Sequence, residues 1–241
     1  MEPLTHLLTG ACLSRAGLNR QTSLATTMLV IGAEVPDVDV LANLAGPVTG
    51  FTHHRGFTHT LVGAPVDAAL ALALVYGVYR LRAAVGRPAT PPRWDVLFFY
   101  GWLSALVHVL LDFTTSYGVR PFAPFDSRWY SWDIVYIVEP VILVLLLAGL
   151  LIPSLFAMIQ EEIGARRKGP RGRGGAIFAL VALVLLWGVR DRCRQPSSWT
   201  ATWRLSKSAS GDGCSGARTA GSPAPRPRGL TARSAQATIK V

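Results

Sequence analysis

Four long apolar stretches limit what this chain can fold into. They cover residues 61–79, 96–111, 134–158 and 176–189. At ~1.5 Å per residue, the first three are long enough, or nearly so, to cross a ~30 Å hydrocarbon core, and the fourth is short at its C-terminal end. Half of the 241 residues are hydrophobic (50%) and only 16% are charged. We therefore expect an all-α, polytopic membrane protein with about four spanning helices.

Two shorter helices are predicted before the first of these stretches. Residues 4–18 have the pattern of a short amphipathic helix, and residues 23–35 form an apolar segment that is too short to span comfortably. Pro36 then breaks the second helix. We expect both to be interfacial or re-entrant helices that bring His6 and Asp37 towards the same place.

Basic residues indicate the orientation of the helices. They cluster in two connections, at residues 80–93 and 166–173. By the positive-inside rule both connections are cytoplasmic. The segment before Leu61 and the segment from Asp112 to Trp132 then lie together on the opposite side.

The C-terminal segment differs from the rest of the chain. Residues 1–189 hold 14 Lys and Arg against 12 Asp and Glu, a net charge of +2, whereas residues 190–241 hold 10 against 2, a net charge of +8. This composition predicts a membrane-embedded domain over residues 1–190 and a disordered basic tail over residues 191–241. The abrupt loss of pattern favours out-of-frame translation of a GC-rich gene. A genuine disordered tail, or a basic arm that binds nucleic acid or anionic lipid, is the alternative.

Three of the five histidines lie within seven residues, as His53, His54 and His59. Histidine is the commonest protein ligand for transition metals such as zinc, iron or nickel. Thr58 is a candidate N-cap for the next helix, which would place His59 in its first turn and His54 in the preceding loop. The alternative is a polar interfacial loop that happens to contain histidines.

Two further pairs suggest the same chemistry. His108 and Asp112 are four residues apart, so a helix places both on one face, where they can share a metal; alternatively, His108 is a satisfied core histidine and Asp112 caps the following turn. Asp37 and Asp39 can bind a metal or activate a water, or simply form an Asx-type turn. Arg55 can hold an anion such as phosphate, although an arginine at the membrane interface is also ordinary.

Taken together, these motifs resemble the YdjM-like (LexA-binding, inner-membrane-associated) family of membrane-bound metal-dependent hydrolases. The matching pieces, over roughly residues 1–155, are His6-Leu-Leu, Pro36-Asp37-Val-Asp39, His54-Arg55-Gly-Phe-Thr58-His59-Thr and His108-x-x-x-Asp112, followed by Thr115-x-x-Gly118 and Pro121. The family is distantly similar to the all-helical, zinc-dependent phospholipase C and P1 nuclease group. Val40 stands where the family frequently has a histidine after the acidic motif, which puts one metal site in question.

The resemblance implies a ligand set and an activity. The implied metal ligands are His6, Asp37, His54, His59, His108 and Asp112, and the implied supporting groups are Asp39 and Arg55. We expect a divalent metal, zinc by the resemblance, in a bacterial inner-membrane protein that hydrolyses a lipid-derived or other phosphoester at the outer face, with Asp39 as the best candidate for the proton acceptor. The alternative is a non-enzymatic metal-binding membrane protein or a transporter. Membrane lipid is the expected partner, and nucleic acid is not.

Overall fold

A computed structural model of the chain describes residues 1–46, 55–87, 90–162 and 172–193. Within these residues there are six α-helices and three 3-10 segments (Leu18–Arg20, Val35–Ala45 and Phe57–His59), and the only β-structure is two isolated bridges. The helices are α1 (Pro3–Arg15), α2 (Ala25–Glu34), α3 (Ala64–Ala84), α4 (Trp94–Phe113), α5 (Pro140–Glu162) and α6 (Arg173–Cys193). The predicted all-α class is confirmed.

The four long helices α3 to α6 are the candidate membrane spans. Each is apolar over an 18-residue window and contains at least 20 residues in the candidate range. Each span begins and ends a few residues away from its predicted apolar run, and the largest difference is at the start of α5. Helix α5 begins at Pro140 instead of residue 134, because residues 134–139 are irregular, with a bridge between Val135 and Thr115 and a bend at residues 137–138.

Helix α6 is also longer than its apolar run. It continues to Cys193 and carries Arg190 and Arg192 in its last turn, where basic residues interact favourably with the helix dipole. The Arg190 guanidinium forms a two-point ion pair with Glu139, with nitrogen–oxygen distances of 2.8 and 3.0 Å. The Trp132 indole N–H donates to Asp191 at 2.8 Å. The helical fold therefore extends three residues past the predicted domain boundary at 190, and the remainder of the predicted tail lies outside the described residues.

The two N-terminal helices are part of the bundle core. Met28 and Leu29 of α2 are fully buried. Helices α1 and α2 cross closely at Gly10, where an added Cβ would lie 2.6 Å from the Leu29 carbonyl oxygen. Glycine is required there because no side chain fits between the two backbones.

The helices alternate in direction, which gives the bundle two distinct ends. At one end, which we call the site end, α1, α3 and α5 begin and α2, α4 and α6 finish. Glu2 N–H donates to the Ile137 carbonyl there. At the opposite end, Arg15 donates to the Leu150 carbonyl at 2.9 Å and Arg173 donates to the Ala16 carbonyl at 2.9 Å.

The predicted capping role of Thr58 is wrong. Helix α3 begins at Ala64, and Phe57–His59 forms a separate 3-10 turn. Thr60 occupies the turn between them, since its hydroxyl accepts from the Gly63 N–H at 2.8 Å and donates to the Phe57 carbonyl at 2.8 Å. Thr58 contacts His59 instead, with its hydroxyl 3.1 Å from His59 Nδ1.

Candidate metal centre

Four predicted ligands from three parts of the chain converge at the site end. Asp37 follows α2, His59 precedes α3, and His108 and Asp112 lie one turn apart on α4. Each offers one ligand atom, and these atoms all lie within 4.8 Å of one another. His59, His108 and Asp112 are at most 1% exposed. Two imidazoles and two carboxylates so arranged can hold a divalent metal ion.

His108 is oriented by the backbone of α2. Its Nδ1 lies 2.6 Å from the Ala33 carbonyl oxygen. A carbonyl only accepts, so Nδ1 carries the hydrogen and Nε2 keeps a lone pair directed into the cluster. Metal-binding histidines are typically fixed by this kind of outer hydrogen bond.

His59 is supported by Asp39 and Thr58. Asp39 Oδ2 lies 3.5 Å from His59 Nδ1, on the side away from the cluster, while His59 Nε2 lies 3.3 Å from Asp112 Oδ2. The same Asp39 oxygen accepts the Arg55 backbone N–H at 2.6 Å. These contacts favour a role for Asp39 in orienting His59, which is one of the two roles expected from the sequence.

His6 is the most conspicuous polar group without a partner. Its ring is fully buried and stacks on His108 with centroids 3.8 Å apart. Neither ring nitrogen has a hydrogen bond to a described residue, although Nε2 lies 3.4 Å from Asp112 Oδ1. Buried polar atoms normally have partners, so His6 has the character of an additional metal ligand.

Arg55 forms an ion pair with one of the candidate ligands. Its Nη2 lies 3.0 Å from Asp112 Oδ2, and its Nη1 donates to the Gly118 carbonyl at 2.8 Å. Gly118 has a φ of +71°, and an added Cβ would lie 2.5 Å from the Tyr130 carbonyl oxygen. The arginine therefore directs its charge to one oxygen of Asp112, whose other oxygen contacts the Met1 amino group. Both terminal nitrogens of Arg55 are thus engaged, while its Nε has no hydrogen-bond partner among the described residues.

The buried environment sets the charges of the ligands. Burial lowers the pKa of His59 to about 4 and places the pKa of His6 well below its usual value. Burial opposes ionisation of Asp37, but the His108 and His59 imidazoles beside its carboxylate outweigh it and hold the pKa of Asp37 below its usual value. At neutral pH the two histidines are thus uncharged and Asp37 is ionised, which is the state that binds metal.

Glu34 is a further candidate that sequence reasoning missed. It is the last residue of α2, and its buried Oε1 has no hydrogen-bond partner in the part of the chain that the structure describes. Burial, followed by the nearby charge of Asp37, raises the pKa of Glu34 to about 7. In the sequence, the position of Glu34 three residues before Asp37 could have identified it as a candidate. A carboxyl group that titrates near neutrality is suited to proton transfer.

Two other sequence expectations concern the edge of the site. His54, a predicted ligand, lies outside the described residues, as does His53. Val40, at the position where the resemblance suggested a histidine, is 51% exposed and therefore lies away from the buried cluster.

The fold and the cluster define a class of protein: a polytopic helical membrane protein with a buried histidine–aspartate centre at one end of its bundle. A model of the YdjM inner membrane protein family matches residues 1–193, so the chain belongs to that family. It is accordingly an inner membrane protein, and its four candidate spans agree with that location.

One curated relative shares part of this sequence. The uncharacterized protein YfhP of Bacillus subtilis (strain 168) is 26% identical over 123 residues, which is 50% of this chain and 34% of YfhP. The chain therefore spans about a third of that relative's length. No solved structure matches the present chain. Neither the family match nor the relative supports the expected similarity to the phospholipase C and P1 nuclease group.

Proposed function

We propose that this protein is a metal-dependent hydrolase that acts on a lipid-derived phosphoester at the outer face of the inner membrane. The observation that carries the proposal is the convergence of Asp37, His59, His108 and Asp112, whose ligand atoms lie within 4.8 Å of one another. Residues so distant in sequence have no other evident reason to gather four ionisable groups in a buried place.

The residues fit a divalent metal. A mixed nitrogen and oxygen donor set suits zinc, and equally iron or manganese. His6 adds two buried nitrogens without hydrogen bonds. The outer nitrogens of His108 and His59 are occupied by Ala33 and by Asp39 with Thr58, which leaves both Nε2 atoms directed into the centre. Zinc is our assignment among these metals.

The chemistry that such an ion supplies is polarisation of a phosphoryl oxygen and a bound water with a pKa near ~7. The protein must then accept the proton of the attacking water. Glu34 Oε1 is suited to this step because its pKa of about 7 lets it take and release a proton at neutral pH. In this arrangement Asp39 holds His59, and Arg55 holds Asp112.

Apolar side chains around the site end support a lipid-derived substrate. Leu41, Leu44, Phe57 and Phe125, which we call the apolar rim, are 54 to 88% exposed. They lie outside the candidate spans, in segments adjoining the centre. Exposed apolar side chains in this position are suited to contact with acyl chains and with the headgroup boundary of the membrane.

The test is an assay on purified protein reloaded with zinc. Phosphate and phosphoester release is measured by mass spectrometry after incubation with a total bacterial lipid extract. His108→Ala and Asp112→Asn should abolish release, whereas Asp95→Asn, at the exposed far end of the same helix, should not. A protein that binds zinc stoichiometrically but releases nothing from any lipid would overturn the enzyme proposal and favour a metal-binding or transport role.

A further inference from the structure

The loop that follows α4 carries an arginine that the centre does not use. Arg120 packs on the ring of Trp129, with its guanidinium carbon 4.9 Å from the ring centroid. Its Nε is buried without a hydrogen bond. Among the described residues, none accepts a hydrogen bond from this guanidinium or forms an ion pair with it.

A short β-bridge fixes this pair. Val119 and Tyr130 exchange two backbone hydrogen bonds, of 2.9 and 2.8 Å, in an antiparallel bridge. Arg120 follows Val119 and Trp129 precedes Tyr130, so the two residues face each other at the next cross-strand position. The guanidinium is therefore held in place before any ligand arrives.

A chain of ring contacts connects Arg120 to the metal centre. Trp129 packs edge-on against Tyr117 with centroids 5.6 Å apart. Tyr117 in turn lies under Arg55, whose guanidinium carbon is 4.8 Å from the ring centroid. Arg55 pairs with Asp112 at 3.0 Å. Arg120 thus stands at the outer end of a stack whose inner end is a candidate ligand.

Apolar residues follow Arg120 in the loop, and this part of the loop lies close to the centre. The next residue, Pro121, accepts the Leu61 N–H at 2.9 Å, two residues after His59. Phe122 and Phe125 follow and are 48 and 88% exposed. A fixed cation beside exposed aromatic rings matches an amphiphile with an anionic group.

We propose that Arg120, held on Trp129, binds a phosphate group of the substrate at the site end of the bundle, beside the metal centre. This inference depends on the proposed function in one respect, namely that the bound phosphate compound is the substrate of the enzyme. A guanidinium is suited to this task because its planar array of N–H donors matches two phosphate oxygens. Arg55, which the sequence suggested for an anion, is already bonded to Asp112 and Gly118.

The test is calorimetric titration of the full chain in a neutral detergent with two probes, inorganic phosphate and dihexanoyl phosphatidic acid. Arg120→Gln should weaken binding of the phosphate-bearing probe about 10-fold or more, since a charge-assisted hydrogen bond is lost. Arg128→Gln, which removes an exposed arginine of the same loop, should change it less than about twofold. Arg120→Lys should retain part of the affinity.

The two probes distinguish the sources of the phosphate group. Much tighter binding of phosphatidic acid assigns a lipid headgroup, and equal binding assigns free phosphate. Unchanged binding in Arg120→Gln, equal losses in Arg120→Gln and Arg128→Gln, or no binding of either probe by the wild type would overturn the proposal.

A second variant keeps the proposal testable if Arg120→Gln does not fold. Trp129→Leu leaves the arginine in place but removes the ring beneath it, and should weaken binding about two- to fivefold; unchanged binding would count against the proposal. The binding assay needs no turnover. If binding depends on Arg120 but no hydrolysis occurs, this inference is supported and the enzyme proposal is contradicted. If hydrolysis occurs but binding does not depend on Arg120, the enzyme proposal is supported and this inference is contradicted.

Discussion

The Nε2 atoms of His59 and His108 lie 3.1 Å apart in the buried interior of the bundle. With Nδ1 of His108 donating to Ala33, its Nε2 presents a lone pair to the other ring. Two imidazole nitrogens bound to one tetrahedral zinc ion at ~2.0–2.1 Å would lie at about this separation. The pair is thus arranged as two ligands of one metal.

This arrangement predicts metal loss on substitution of either ring. His59→Ala and His108→Ala should each lower metal affinity about 10- to 100-fold or more, because the remaining ligands cannot complete the coordination. The measurement is elemental analysis of the purified variants. Asp95→Asn is the control, since Asp95 is exposed on the same helix as His108. Full metal content in both histidine variants would contradict the site.

The Arg55–Asp112 pair predicts that stability depends on the metal. Arg55→Gln removes the guanidinium that pairs with Asp112 Oδ2 and leaves only the Met1 amino group against the other oxygen; breaking a buried ion pair costs about 3–5 kcal/mol. A bound divalent ion compensates that charge, so the metal-free variant should lose more thermal stability than the zinc-loaded variant. Equal losses with and without zinc would show that Arg55 does not balance the charge of the centre.

Glu34 predicts a pH dependence. A proton acceptor must be ionised, so with a pKa of about 7 activity should rise as pH increases through neutrality, and Glu34→Gln should remove that limb. Stability should change in the opposite direction. The folded protein keeps a proton that the unfolded chain loses above the ordinary pKa of 4.5, so stability falls between about pH 4.5 and 7. Thermal unfolding across this range should show the decrease in the wild type and less of it in Glu34→Gln.

The distribution of basic residues predicts the orientation of the bundle. Reporters fused after Arg87 and after Lys168 should be cytoplasmic, and a reporter fused near Ser127 should be on the outer side, because basic connections remain inside. Alkaline phosphatase and fluorescent-protein fusions report the two sides. The reverse pattern would place the metal centre at the cytoplasmic face and exclude an outer-face substrate.

The end of α6 predicts where the chain can be shortened. Truncation after Cys193 should leave thermal stability and metal content unchanged. Truncation after Val189 removes Arg190 and leaves Glu139, which is 4% exposed, without its cation. Breaking such a pair costs about 3–5 kcal/mol. A marked loss on truncation after Cys193 would show that the basic tail contributes to the fold.

The sequence alone determined the number and class of the helices. Hydrophobicity and helix length are local properties, so runs such as residues 96–111 identify spans without knowledge of their neighbours. The same applies to His108 and Asp112, since helical periodicity places them on one face wherever the helix lies. The sequence also predicted that the segments carrying the candidate ligands lie at the end of the bundle opposite the basic connections, because successive spans cross the membrane in opposite directions.

Tertiary structure decided which groups meet and which are already occupied. Arg55 was a candidate for an anion until the structure paired it with Asp112, and Arg120 and Glu34 gained significance only from their buried, unpaired atoms. Thr58 proved to contact His59 instead of capping a helix. These outcomes depend on contacts between residues far apart in the chain. Such contacts are set by how the helices pack, and a local sequence pattern carries no information about that packing.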